Sequence, residues 1–180
     1  MTTIFKPFPK LPRWSREITI TEKIDGTNAC IFIGNDGEFL TGSRTRWITP
    51  EDDNYGFSRW ANENKDELML LGPGQHFGEW WGQGIQRRYG QAEKRFSLFN
   101  THRWDDDEVR PKCCHVVPTL YTGPNDAGFI NSTLTMLKCT GSIAAPNFMN
   151  PEGIVIYHIA AGVGFKKTIE GDETHKGSNR

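Results

Sequence analysis

The sequence predicts a single α+β domain, and three observations carry that prediction. Short β-rich runs bounded by turn residues recur along the chain, Asn35-Asp36-Gly37 marks a tight hairpin, and only two stretches keep helical spacing. A chain of 180 residues can bury a sizeable core but is short for two full domains. Nineteen glycines, ten prolines and six tryptophans fit a turn-rich, sheet-containing fold with aromatic side chains available for a binding surface.

Charge and cysteine usage narrow the classes of function. Twenty-one basic residues face 22 acidic ones, a net charge of -1, which argues against a histone-like or tail-driven nucleic-acid binder. Any such contact must come from a local basic patch. Lysines and prolines interrupt the apolar residues of 1–14, leaving no signal-peptide core, and no apolar run reaches membrane-spanning length. A cytoplasmic monomer without a membrane partner is expected, in the host cytoplasm if the chain is of phage origin. Cys30, Cys113, Cys114 and Cys139 lack C-x-x-C spacing and are expected to be reduced structural thiols. Cys113-Cys114-His115 is no metal set, because adjacent side chains point apart in an extended chain.

In chain order, residues 1–16 form a lead-in that Pro7, Pro9 and Pro12 hold extended and packed on the surface, either mobile or facing substrate. Strands are expected over 17–21 and 29–33, packed into a sheet, with the tight turn Glu22-Lys23-Ile24-Asp25-Gly26-Thr27-Asn28 between them. The hairpin at 35–37 returns a strand over 38–42, which delivers Ser43 and Arg44 to the end of the sheet that carries Lys23. Trp60, Ala61, Leu68 and Leu71 keep helical spacing over 58–71, with Ser58 as cap and Gly72-Pro73 as stop. Residues 75–81 read as a strand, 82–90 as a loop with Arg87 and Arg88, 95–99 as a strand, and 101–108 as a solvated loop. Pro118 breaks the apolar run 115–121, which marks an edge strand or a strand that ends there. A short helix capped by Asn131 or Ser132 runs to Thr140, and 153–157 and 163–167 form a last hairpin. A polar, frayed tail is expected over 171–180.

Each chemistry-bearing string is modest alone, and their order is specific. Lys23-Ile24-Asp25-Gly26, Ser43-Arg44, Gly78-Glu79-Trp80, Phe96-Ser97-Leu98-Phe99, Glu152-Gly153-Ile154-Val155 and Phe165-Lys166-Lys167 follow one another as the motifs of covalent nucleotidyltransferases do. The chain resembles ATP-dependent polynucleotide ligases. More narrowly, Asn28 after the lysine motif and Val116-Val117-Pro118-Thr119-Leu120-Tyr121 resemble the small strand-joining RNA ligases of phages.

The resemblance implies the α+β fold of ligases and capping enzymes, with antiparallel sheets, a nucleotide cleft between them and helices outside. It spans residues 17–170 as one nucleotidyltransferase domain, with no separate C-terminal domain expected. It implies ATP and Mg²⁺, with Mn²⁺ as an alternative, and RNA 5′-phosphate and 3′-hydroxyl ends as partners. DNA nicks stay open as a substrate, and so does a non-catalytic module that binds adenylate or nucleic acid. Because the chain is short, strand sealing is expected to be less secure than adenylylation.

Lys23 is then the nucleophile that becomes lysyl-AMP, once neutral; the free side chain titrates near ~10.4, so nearby cations are expected to favour the neutral amine. The resemblance puts Glu22 by the adenine, Asn28 near the ribose and phosphate, Glu79 on the ribose and Glu152 at the metal. Arg44 offers a planar fork for phosphate or ribose oxygens. Phe99 stacks on adenine, while Phe96, on the other face by alternation, is core. The family shows lysine, any residue, lysine in its last motif, and this chain shows Lys166-Lys167-Thr168. Alternation favours Lys166 as the inward cation on the α-phosphate, with Lys167 secondary. Arg46, Trp47, Trp80, Trp81, Arg87 and Arg88 are candidates for a basic, aromatic strand-binding surface, against solvated arginines and buried tryptophans.

Overall fold

A computed structural model describes residues 3–173, which build two sheets with short helices outside. Ten strands are formed: β1 (Glu17–Lys23), β2 (Thr27–Ile33), β3 (Phe39–Gly42), β4 (Trp47–Ile48), β5 (Gly74–Gly82), β6 (Lys94–Leu98), β7 (Cys114–Val116), β8 (Thr119–Pro124), β9 (Gly153–His158) and β10 (Val163–Thr168). They order as β10-β9-β1-β8 in a four-stranded sheet and β4-β3-β2-β5-β6-β7 in a six-stranded one. The sheets are antiparallel, as expected, with one parallel pairing, β6 with β7.

The strands flanking the lysine turn do not pair with each other. β1 lies between β8 and β9, and β2 between β3 and β5, so residues 24–26 carry the chain from one sheet to the other. Pro118 marks the second crossing: β7 ends before it in the large sheet and β8 begins after it in the small one. Proline has no N–H to continue a ladder, and the change of sheet removes the need for one. The two crossings touch, because the Val117 N–H donates to Leu98 O while Pro118 O accepts from the Glu22 N–H.

Three apolar clusters follow from this layout. Strand alternation turns Ala29, Ile31, Ile33, Trp80, Phe96 and Leu98 to one face of the large sheet, where the helical segment over 57–71 covers them. That segment has the expected buried face but not the expected continuity. It divides into α1 (Phe57–Glu63), α2 (Lys65–Leu68) and a 3₁₀ turn (Met69–Leu71), because Asn64 leaves helical geometry while its side chain donates to Trp60 O. Asp53, not Ser58, caps the start, its carboxylate accepting from the Ser58 and Arg59 N–H groups.

Ile18, Ile20, Ile154 and Ile156 turn to the opposite, outer side of the small sheet, beneath the helix Ala127–Thr140. That helix starts earlier than expected because Asp126 caps it, accepting from Gly128 and Phe129. Between them sits a four-residue helix, α3 (Thr101–Trp104), in the stretch expected to be loop, so the long helix is α4. The third cluster, Ile24, Trp81, Tyr89, Val117 and Ala145, wedges between the two sheets beside the lysine turn.

The lead-in does not pack as expected. Ile4, Phe5, Phe8 and Leu11 are between 72% and 85% exposed. The four cysteines are free, as expected, but Cys113 precedes β7 instead of lying in it, which brings its Sγ to 4.0 Å from that of Cys114 instead of turning it away. The expected frayed tail is described to residue 173, and residues 174–180 lie outside the described range.

Candidate active site

The lysine turn is held from four directions. Gly26 lies so close to β5 that a Cβ there would meet Trp80 O at 2.5 Å and the Trp81 Cβ at 2.7 Å, so only glycine fits. Its N–H donates to Glu79 Oε1 at 3.0 Å, and the Asp25 N–H donates to the Tyr89 hydroxyl at 2.9 Å. Arg87 Nε donates to Asp25 Oδ2 at 3.1 Å and its Nη1 to the carbonyl and side chain of Asn150. Arg87 therefore ties the turn to the segment leading into Glu152. Ile24 is buried in the wedge cluster.

At the end of β1, Lys23 Nζ donates to Glu152 Oε2 at 2.6 Å, a pairing across 129 residues. Lys23 is partly exposed, at 22%, while Glu152 is buried at 4%. The neighbour that compensates the ammonium is thus a carboxylate, where sequence reasoning looked for cations. Glu79 lies close enough to Lys23 for their charges to interact. Burial pushes its carboxyl up to about 7, opposed by the Lys23 ammonium and the Gly26 N–H.

Sheet register sorts the remaining candidates. Thr168, Gly153 and Lys23 lie side by side across β10, β9 and β1, and Lys166, Val155 and Thr21 form the next row on the same face. Lys167 pairs with Ile154 and so faces the α4 side, where it reaches Asp172 at 3.6 Å. Lys166 therefore shares the face of Lys23, as alternation predicted. With Thr168, Glu152, Asp25 and Arg87 it lines an opening of about 280 Å³. On the large sheet Asn28, Glu79 and Ser97 form one row, and Cys30 and Phe77 form the next, with Phe99 bonded through its N–H to Phe77 O just beyond β6. Phe99 is 40% exposed and Phe96 is core, the division expected. Gly42 pairs with Cys30, so Ser43 and Arg44 leave β3 at the lysine end, and Arg44 is exposed.

Other candidates are placed differently. Glu22 is buried, with its carboxylate accepting from Ser142 Oγ at 2.6 Å and from the Ile143 and Ala144 N–H groups at 2.8 and 2.9 Å. Its oxygens organise the loop after α4. Trp80 and Trp81 are 1% exposed, Arg46 is paired with Asp52, and Arg87 is engaged in the turn, so these do not form an open strand-binding surface. Tyr89, Ser142 and Asn150 were missed because each acts through a contact more than 60 residues distant in sequence. Tyr89 stands between Arg88 and Gly90, so nothing in its immediate sequence signals burial.

Among the described residues no group of three or more His, Cys, Asp or Glu side chains could hold a metal by itself. No helix there is long and apolar enough to cross a membrane.

Comparison with known proteins agrees with the geometry. No curated protein sequence matches the chain. Among solved structures it is similar to Naegleria gruberi RNA ligase in several forms. An apo mutant gives a TM-score of 0.63 at 20% identity over 90% of this chain and 52% of that one. A mutant with AMP and Mn gives 0.63 at 19% over 91% and 53%, and a form with PPi gives 0.59 at 17% over 92% and 53%. The likeness is one of fold, and the chain spans about half the length of these proteins. The sequence model of the RNA ligase family matches residues 16–169, and the chain belongs to that family.

Proposed function

We propose that this chain joins RNA ends with ATP through a covalent adenylate on Lys23, within a nucleotidyltransferase domain over residues 17–170. The observation that carries the reading is the Lys23–Glu152 contact at 2.6 Å, at the crossing between two sheets whose facing surfaces also present Glu79, Asn28 and Lys166. An amine there must pass its proton to water before attack, and Glu152 must give up its contact with the ammonium for that to happen. Lys23 Nζ then attacks the α-phosphorus of ATP, a P–N bond forms, and pyrophosphate leaves. An oxygen of the RNA 5′-phosphate next attacks the same phosphorus, breaking the P–N bond and returning the amine. A 3′-hydroxyl finally attacks the activated 5′-phosphate and releases AMP.

The other residues bind and orient. Lys166 sits one row from Lys23 and would neutralise charge on the α-phosphate, with Thr168 level with the nucleophile and Lys167 secondary. Glu79 and Asn28 hold the ribose, Phe99 offers its exposed ring to adenine, and Arg44 takes phosphate or ribose oxygens. Glu22 supports the adenine end through residues 142–144. Glu152 would offer a hard carboxylate oxygen to Mg²⁺ or Mn²⁺. When bound, the metal supplies charge neutralisation at the phosphates.

Incubation with ATP labelled at the α-phosphate and Mg²⁺ tests the reading. The expected product is an acid-labile AMP–protein adduct that Lys23→Ala abolishes. No adduct on the native chain, or an undiminished one on the variant, would overturn it. Sealing assays on RNA and DNA ends then distinguish the substrates, with RNA expected to be preferred.

A further inference from the structure

The overall charge balance hides a local imbalance. Residues 3–16 carry Lys6, Lys10, Arg13 and Arg16 and no acidic residue, so four of the chain's 21 cations sit in a segment with none of its 22 acids. Phe5, Phe8 and Trp14 interleave with those cations and are 85%, 82% and 70% exposed. Pro7, Pro9 and Pro12 remove backbone donors and hold φ, which keeps the segment extended and bars it from lengthening the sheet. Lys6 and Lys10 make no ion pair among the described residues.

The segment is nevertheless rooted. His158 Nε2 lies 3.0 Å from Trp14 O, and the Asn125 N–H donates to Arg16 O at 3.1 Å, which pins the root to the end of the small sheet remote from Lys23. Ser15 and Arg16 there wall an open depression of about 470 Å³ with Gly123, Pro124 and Ile159. β1 then runs seven residues to the nucleophile, roughly 20 Å at strand rise.

We propose that residues 3–16 are an arm that holds single-stranded RNA at a distance from the adenylation cleft, a binding element distinct from the cleft itself. It rests on the reading that the chain acts on RNA ends. Phosphates meet the lysines and arginines, and bases stack on Phe5, Phe8 and Trp14, the combination that binds single strands without sequence preference. An extended segment of this length spans about 40 Å, so it holds nucleotides away from the junction while the cleft works on the end. Proline-rich segments also dock on aromatic grooves of proteins. Three exposed rings alternating with cations alone, in a chain of the RNA ligase family, favour the nucleic acid.

Two double variants of the full chain test the arm, Phe5→Ala with Phe8→Ala and Lys6→Gln with Lys10→Gln. Both pairs are exposed, so folding is expected to be untouched. Fluorescence anisotropy with a short labelled single-stranded RNA is expected to show at least about 30-fold weaker binding for the aromatic pair with an unchanged salt slope. The lysine pair should flatten the slope of log K against log salt by about 1.4. ATP-driven adenylylation of Lys23 is expected to be native in both, so failure of the arm and failure of the ligase reading remain distinguishable. Unchanged RNA affinity in both variants overturns the proposal, as it would if the arm served a protein partner. An equal loss by the aromatic pair on blunt duplex RNA overturns it too, since stacking requires free bases.

Discussion

Lys166 and Lys167 are adjacent in sequence and opposed in space. Because Lys166 shares the face of Lys23 while Lys167 is turned to Asp172, their substitutions should separate. Lys166→Ala is expected to slow adenylylation about 100-fold, the usual cost of removing a charge-stabilising donor. Lys167→Ala should stay within about threefold, as for a surface ion pair. Single-turnover formation of the AMP adduct measures both, and equal losses would show that the β9–β10 register does not govern the site. Glu79 sets a second expectation. Its folded carboxyl titrates at about 7 against an ordinary 4.5, because it is buried. Between those values the folded chain keeps a proton that the unfolded chain has released, so the contribution of Glu79 to stability is fullest below pH 4.5 and declines as pH rises towards 7. Glu79→Gln should remove that decline, worth up to about 3 kcal/mol. Urea midpoints across the window report it, and parallel pH profiles for the two proteins would contradict it.

At the scale of elements, the lysine turn depends on a loop that follows α4. Glu22 gathers one hydroxyl and two backbone N–H groups from residues 142–144, and all are buried or partly buried. Glu22→Ala leaves those donors without an acceptor and is expected to cost about 3 kcal/mol. Chemical denaturation checks the loss; a change below about 0.5 kcal/mol, the range of ordinary surface sites, would show that water replaces the carboxylate freely. The same elements show what local sequence encodes well. The 35–37 hairpin formed where expected, with Gly37 at φ 86, and Gly34 and Glu38 bonded across it. The stretch 57–71 has its apolar residues on the predicted face, yet it breaks at Asn64, where a side-chain bond competes with the backbone. Periodicity reports which residues are buried together, and says less about whether the backbone between them stays regular.

Over the whole molecule, the wedge of Ile24, Trp81, Tyr89, Val117 and Ala145 is what sets one sheet against the other. Trp81 is 1% exposed, meets the Tyr89 ring at 5.2 Å and donates to Ser97 Oγ at 2.9 Å. Trp81→Ala should therefore cost about 3–5 kcal/mol, with adenylylation falling alongside because Tyr89 also receives the Asp25 N–H. Thermal unfolding and adduct formation on the same samples test it. A stable variant that still adenylylates would move the join between the sheets elsewhere.

The sequence by itself determined the residue types and their facing: Lys23 close to Gly26, two carboxylates, an exposed Phe99 against a buried Phe96, and Lys166 opposite in face to Lys167. Residue type and period-2 alternation are local properties, and both survive folding unchanged. Only the tertiary structure decided that β1 and β2 belong to different sheets, that Glu152 rather than a cation meets Lys23, and that Arg87 and Tyr89 secure the turn while Trp80 and Trp81 are interior. Those outcomes depend on which strands pair and where the chain crosses. Such contacts join residues separated by 60 to 130 positions, and nothing in the spacing of a single stretch records them.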